Sequence, residues 1–111
     1  MVFEMKFEDE AKGRVALLTG RLDTKAAQDF EKTALSWECR NVVLDFTELE
    51  YISSAGLRSI LVLAKRLLPL GGKLVLFGMS GVVEEVFGVS GFDSFLPVTK
   101  SREEAIGLLP E

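Results

Sequence analysis

Apolar residues recur along this chain with two different periods, and the switches between them mark its elements. Val2–Phe7 and Arg14–Thr19 flank the polar stretch Glu8–Gly13, and the second contains the run Val15-Ala16-Leu17-Leu18. That pattern predicts two strands joined as a hairpin. The period then lengthens: Ala26, Ala27, Phe30, Thr33, Ala34 and Trp37 fall on one face at helical spacing, with Lys25, Asp29, Lys32 and Ser36 largely opposite. Asp23 stands in front of this helix as its N-cap, and Leu22 is placed to staple against Ala27. Trp37 reads as a core or rim anchor and Cys39 as a small side chain at least half buried.

Asn41–Phe46 is an apolar run interrupted only by Asp45, the type found in parallel strands covered on both faces. Thr47-Glu48-Leu49-Glu50 reads as a connection leading to Ser53 and Ser54. A helix from Ala55 to about Leu68 follows, the clearest element in the chain. Leu57, Ile60, Leu61, Leu63, Ala64, Leu67 and Leu68 fill one arc, and Arg58, Ser59, Lys65 and Arg66 the opposite one. Val62 falls in the middle of the polar arc, where core packing does not require it. Pro69 and Gly71-Gly72 end the helix. Lys73–Phe77 is another buried-type strand. The turn Gly78-Met79-Ser80-Gly81 leads to a short helix expected to turn Val82, Val83, Val86 and Phe87 inward and to close near Gly88. A last strand is expected around Phe95–Val98. Ser101-Arg102-Glu103-Glu104 is a capping box opening a helix to about Leu109. Strands alternating with helices predict a single α/β domain over residues 1–111, with a mainly parallel central sheet of about five strands and about four helices.

Composition removes several function classes. With 48% apolar and 27% charged residues, the chain is globular rather than disordered. It contains no histidine, which excludes imidazole acid–base catalysis, a Ser-His-Asp triad and His-rich metal sites. A formal charge of −4 with scattered basic residues argues against a nucleic-acid surface. The lone Cys39 suits a reducing compartment, and neither a signal peptide nor an apolar run near the ~20 residues of a membrane span is visible. The expectation from composition is a soluble cytoplasmic protein with no metal or cofactor implied and enzyme activity still open.

Chemistry gathers where parallel strands end, the edge at which open sheets place their sites. Asp23, Asp45, Ser53, Ser54, Gly78 and Ser80 all follow strands there. The serine pair has two uses, helix capping or phosphate acceptance, and the pattern leaves both open. Asp45 is either a polar strand end or, with Lys100, a phosphoacceptor that lacks an acidic magnesium-binding pair. Gly78–Gly81 matches no phosphate-binding fingerprint and reads as a tight turn. Arg58, Ser59, Val62, Lys65 and Arg66 form either a solvated helix face or a contact surface for an acidic partner.

Three stretches in this order, Leu18-Thr19-Gly20-Arg21-Leu22-Asp23, Val42-Val43-Leu44-Asp45-Phe46 and Tyr51-Ile52-Ser53-Ser54-Ala55-Gly56-Leu57, resemble the STAS domains of the anti-sigma factor antagonist family, and Gly71-Gly72-Lys73-Leu74-Val75-Leu76 follows at the expected place. The resemblance implies a protein that binds an anti-sigma factor serine kinase and so frees a sigma factor. Phosphorylation of a serine at the start of the long helix would switch it off, and a PP2C-type phosphatase would reverse this. The family motif commonly reads Asp-Ser-Ser/Thr-Gly-Leu with the first serine modified. Matching its glycine and leucine to Gly56 and Leu57 puts the acceptor on Ser54, with Ser53 where the aspartate is usual and so as the rival acceptor. The implied partner surface draws on Asp23, Ser53, Ser54, Gly56, Arg58 and Val62. Some STAS domains are instead unphosphorylated scaffolds or transporter-associated subunits, the alternative reading.

Overall fold

In the computed structural model, which describes residues 2–111, sequence neighbours are also sheet neighbours. Strands β1 (Glu4–Asp9), β2 (Arg14–Leu22), β3 (Asn41–Ile52), β4 (Lys73–Phe77) and β5 (Val98–Thr99) lie side by side in that order. The β1–β2 hairpin is antiparallel and every later pair is parallel. Each parallel step needs a crossover, supplied by α1 (Thr24–Ala34), α2 (Ser54–Leu67) and α3 (Gly81–Ser90), and α4 (Arg102–Gly107) follows β5. The α/β architecture with a mainly parallel five-stranded sheet and four helices is the one the sequence pattern predicts.

Alternation along the strands divides the apolar side chains between two layers. Ala16, Leu18, Leu22, Val42, Leu44, Phe46, Leu74 and Leu76 meet Phe30, Ile60, Leu63, Leu67, Val83 and Phe87 of α1, α2 and α3 in the larger core. Val15, Val43, Val75 and Phe77 face the other way, where Ala105 and Leu109 cover them. Burying one such side chain fully is worth about 1.5–3 kcal/mol, so the larger layer supplies most of the driving force. Trp37 is the anchor expected of it: it is buried and meets Phe7 edge-on at 5.6 Å. Cys39 is half buried, and burial pushes its thiol pKa up. Arg102 ties the start of α4 to the hairpin through Glu8 at 2.8 Å and Glu10 at 2.6 Å.

Several boundaries differ from the sequence pattern, each for a physical reason. The first strand runs Glu4–Asp9 rather than Val2–Phe7, because Glu8 and Asp9 still pair with Val15 and Arg14. The second continues to Leu22, where its burial still matches the core layer. Strand β3 does not stop at Phe46 but runs to Ile52 against β2, so Thr47–Glu50 is strand rather than connection. Helix α2 starts one residue earlier than expected, and Leu68 begins a 3-10 turn with Pro69 and Leu70. In α3 Val83 and Phe87 are buried and Val86 packs partly against the core, but Val82 is 55% exposed, and the helix closes at Gly91, in the left-handed region at φ 79°, rather than near Gly88. Phe95 is not in a strand: the carbonyl of Pro97 accepts the Leu76 N–H, and β5 begins only at Val98. Ser101 caps α4 by accepting the Glu104 N–H at 3.2 Å, but the helix ends at Gly107.

Asn41 is a buried polar residue whose side chain links three parts of the chain. Its amide donates to the carbonyls of Lys12 and Pro110 at 2.9 and 2.8 Å, and its carbonyl accepts the Lys73 N–H at 3.1 Å. Removing the amide takes the donor from the part-buried Lys12 and Pro110 carbonyls, in the hairpin turn and the C-terminal segment, while the Lys73 N–H keeps the Arg40 carbonyl at 3.2 Å. Asn41→Ala is therefore expected to lower stability by about 2–3 kcal/mol, read as a lower urea midpoint with an unchanged slope.

Candidate functional site

Strands β2 and β3 end in register, with Leu22 opposite Ile52. The next residue on each chain segment is a helix N-cap in extended conformation: Asp23 for α1 and Ser53 for α2. Parallel pairing thus brings two helix N-termini together on one edge, each carrying partial positive charge from unpaired N–H groups. Asp23 accepts the Ala26 N–H at 2.9 Å.

The two serines differ sharply in their bonding. The Ser53 Oγ accepts the Gly56 N–H at 3.1 Å and donates to the Leu22 carbonyl at 3.3 Å, while the Ser53 N–H donates to the same carbonyl at 3.0 Å. Ser53 is half buried and fully used as a cap. Ser54 is the first residue of α2, exposed, and its hydroxyl makes no hydrogen bond among the described residues. The Leu57 N–H opens the helical ladder on the Ser53 carbonyl at 3.0 Å. Helix geometry leaves the Ser54 and Ala55 N–H groups without intrahelical acceptors, beside the Ser54 side chain.

Gly56 serves this arrangement by being small. A Cβ there would lie 2.7 Å from the Leu22 carbonyl oxygen and 2.8 Å from Ile52 Cγ1, so α2 approaches the strand ends only with glycine at this position. Ser59, expected on the solvated arc, is buried instead and donates to the Gly56 carbonyl at 2.7 Å. The packing of α1 on α2 covers that part of the polar arc. Arg58 is exposed and forms no ion pair among the described residues. Val62 is 37% exposed and lines a shallow groove between the helices with Thr24, Gln28, Glu31, Ala55 and Arg58. The structure therefore gathers Asp23, Ser53, Ser54, Arg58 and Val62 around the first two turns of α2, with Gly56 beneath them. The sequence pattern missed the α1 side of this groove. Its only signal was that Thr24, Gln28 and Glu31 adjoin Ala27 on the helical wheel, which says nothing about a neighbouring helix. The Leu22 carbonyl, a backbone group, left no signal at all.

The other candidates resolve into local structure. The Asp45 carboxylate accepts the N–H and hydroxyl of Thr47 at 2.9 and 2.8 Å, a local Asx-type arrangement at the first register shift; because β3 continues to Ile52, Asp45 lies inside the strand rather than at the expected strand end. Gly78 has φ 81°, and a Cβ there would strike Thr47, as a tight turn requires. No group of His, Cys, Asp and Glu among the described residues is arranged to hold a metal ion.

Comparison with known proteins agrees with this architecture. A family model described as the STAS domain matches residues 4–105. The chain belongs to the STAS domain family. It is 54% identical over 66 residues to BtrV of Bordetella bronchiseptica, named as a candidate anti-sigma factor antagonist, and this match covers 60% of the chain and 57% of that relative. Among solved structures, an anti-sigma factor antagonist from Mycobacterium paratuberculosis superimposes with a TM-score of 0.84 at 18% identity, covering 96% of this chain and 92% of that one. The anti-sigma factor antagonist SpoIIAA in its unphosphorylated form gives 0.78 at 23% identity over 93% of both chains. Phosphorylated Bacillus SpoIIAA gives 0.69 at 22% over 96% and 97%. These structural likenesses establish the fold. Among the described residues, no helix is long and apolar enough to cross a membrane.

The different bonding of the serines has a thermodynamic signature. Ser53→Ala is expected to cost about 1 kcal/mol through loss of the cap, and Ser54→Ala less than about 0.5 kcal/mol. Gly56→Ala is expected to cost about 1–3 kcal/mol by overpacking against Leu22 and Ile52. Thermal or urea unfolding of the three variants checks the order.

Proposed function

We propose that this chain is an anti-sigma factor antagonist, a binding protein without catalysis of its own. It acts in the cytoplasm by capturing an anti-sigma factor that is also a serine kinase, and phosphorylation of Ser54 releases that partner until a PP2C-type phosphatase removes the phosphate. The observation that carries this reading is the contrast between a Ser53 hydroxyl bonded on both sides and a Ser54 hydroxyl that is exposed and unbonded. The names of BtrV and of the solved relatives supply the partner class, and a phosphorylated SpoIIAA of the same fold supports a phosphate-tolerant domain.

The chemistry of a switch follows from the position. A phosphoryl group adds about −1.5 to −2 charges and three acceptor oxygens. On Ser54 it meets the open N–H groups of the first turn, the favourable end of the α2 dipole, and the unpaired Arg58 one turn further on. The folded domain accommodates that charge. A partner seated over the same edge and the groove at Arg58 and Val62 instead meets a new anion and loses contact area. Asp23 and Ser53 act by fixing the two helix starts, and Gly56 by letting α2 close on Leu22.

The test uses purified protein, labelled ATP and the serine kinase of the same organism. Ser54→Ala is expected to bind the kinase but take up no phosphate, whereas Ser53→Ala remains a substrate. Ser54→Asp should weaken the complex at least about tenfold, measured by calorimetry. Equal labelling of Ser54→Ala and the unchanged protein would remove Ser54 from the proposal, and phosphate mapped to Ser53 would transfer the role there.

A further inference from the structure

The exposed shoulder of α3 lies outside the site around Ser54. Val82, Val86 and Val89 recur at i, i+4 and i+7, so they form one stripe about 10 Å long on the helix surface. Val82 is 55% exposed and Val89 84% exposed, while Val83 and Phe87 already fill the core side. Val86 is partly buried and packs its inner side against the core, so the exposed part of the stripe is Val82 and Val89, and the following segment also leaves Phe95 74% exposed.

The charges around the stripe select its occupant. From Leu74 through Thr99 the chain has no lysine or arginine. Glu85 flanks the stripe next to Val86, whereas helical spacing puts Glu84 on the opposite flank of α3, beside Val98 and Lys100. At its N-terminal end Val82 forms part of a hollow on the C-terminal half of β3, with Leu17 and Leu49 in its lining and Glu4, Glu48 and Glu50 around them. Glu4, Glu48, Glu50 and Glu85 form no ion pair among the described residues. Basic groups enter only at the borders, as Lys6 in that hollow and Lys100 beside Glu84. A two-fold contact between copies of this chain over the stripe and hollow would bring Glu85, Glu48 and Glu50 of each copy onto one acidic interface, and an anionic bilayer would meet the same repulsion.

We propose that α3 is a second docking surface, fitted to a basic amphipathic helix of a partner protein. The partner's apolar residues lie along Val82, Val86 and Val89, and its lysines or arginines reach the acidic rim. A straight apolar stripe of this length matches the contact line between two packed helices. Complementary charge of this kind sets partner choice and speeds encounter more than it adds affinity. The surface is independent of Ser54, so a partner held here can stay bound in either phosphorylation state.

The probe is a synthetic helix of about 18 residues, or roughly five turns, with leucines on one face and lysines elsewhere; a second peptide carries glutamate in place of lysine. Each is titrated into isotope-labelled Ser54→Ala protein while the backbone amide signals are followed. The expected result is shifts concentrated on residues 82–95 with the lysine peptide and none with the glutamate peptide, and binding weakened at least tenfold by Val82→Ser combined with Val89→Ser. Both valines are exposed, so circular dichroism should be unchanged; if that variant fails to fold, Glu48→Lys with Glu85→Lys must weaken the lysine peptide equally. Absent binding, shifts scattered over the surface, or a variant that binds as tightly would overturn the proposal. So would self-association in sedimentation, or binding to neutral phosphatidylcholine vesicles, that the valine variant abolishes, since the face would then belong to a second copy or to lipid.

Discussion

The Leu22 carbonyl holds the functional edge together. It terminates β2, receives both the N–H and the hydroxyl of Ser53, and limits the space above it to a glycine at position 56. Three features of α2 therefore depend on one acceptor: where the helix starts, which serine caps it, and how closely it packs on the sheet. Because Leu22 and Ile52 are in register, the same junction fixes the start of α1 through Asp23. A displacement there would move both helix N-termini and the groove between them, even with the core intact.

In the proposed function, this arrangement separates stability from signalling. Consecutive residues at a helix start point in different directions, so one of two adjacent serines turns to the backbone and the other to solvent. Capping consumes the hydroxyl of Ser53 and leaves that of Ser54 without a structural task. A side chain that contributes little to folding is free to be modified, and the open N–H groups beside it lower the cost of added negative charge. The usual aspartate of the family motif is a side chain that also caps well. Serine in its place keeps the cap and gives up a negative charge, which leaves the edge less acidic for a partner to approach.

The parts of this fold that were legible in the sequence are those with an undisturbed period. The α2 wheel, the apolar runs of β2 and β4, and the caps at Asp23 and Ser101 all gave the correct element. The C-terminal half of β3 did not, because two register shifts against β2 each add one residue to β3. Its buried positions Phe46, Leu49 and Ile52 consequently recur every third residue, while Leu18, Gly20 and Leu22 opposite keep the strand period of two. A bulged strand is invisible to an alternation rule. Ser59 and Val82 were misread for a different reason: a helical wheel gives direction but not which neighbour lies there. Helix α1 covers Ser59, and nothing among the described residues covers Val82.

Beyond Asp45, the β3 partner of Phe77 at the end of β4, strands β2 and β3 go on pairing to Leu22 and Ile52, and the two bulges lengthen that extension of β3 from five residues to seven. Seven residues of β3 follow Asp45 and pair only with β2, so the sheet is locally two parallel strands wide where α2 begins. The Phe46–Phe87 contact at 5.7 Å then places α3 beneath this extension, next to the space that β4 leaves vacant. Turning α3 toward the extension uses Val83 and Phe87 for packing and leaves Val82 and Val89 outside. The same extension of β3 thus runs into Ser53 and Ser54 and leaves Val82 and Val89 of α3 uncovered, so both proposed surfaces trace to a single irregular strand.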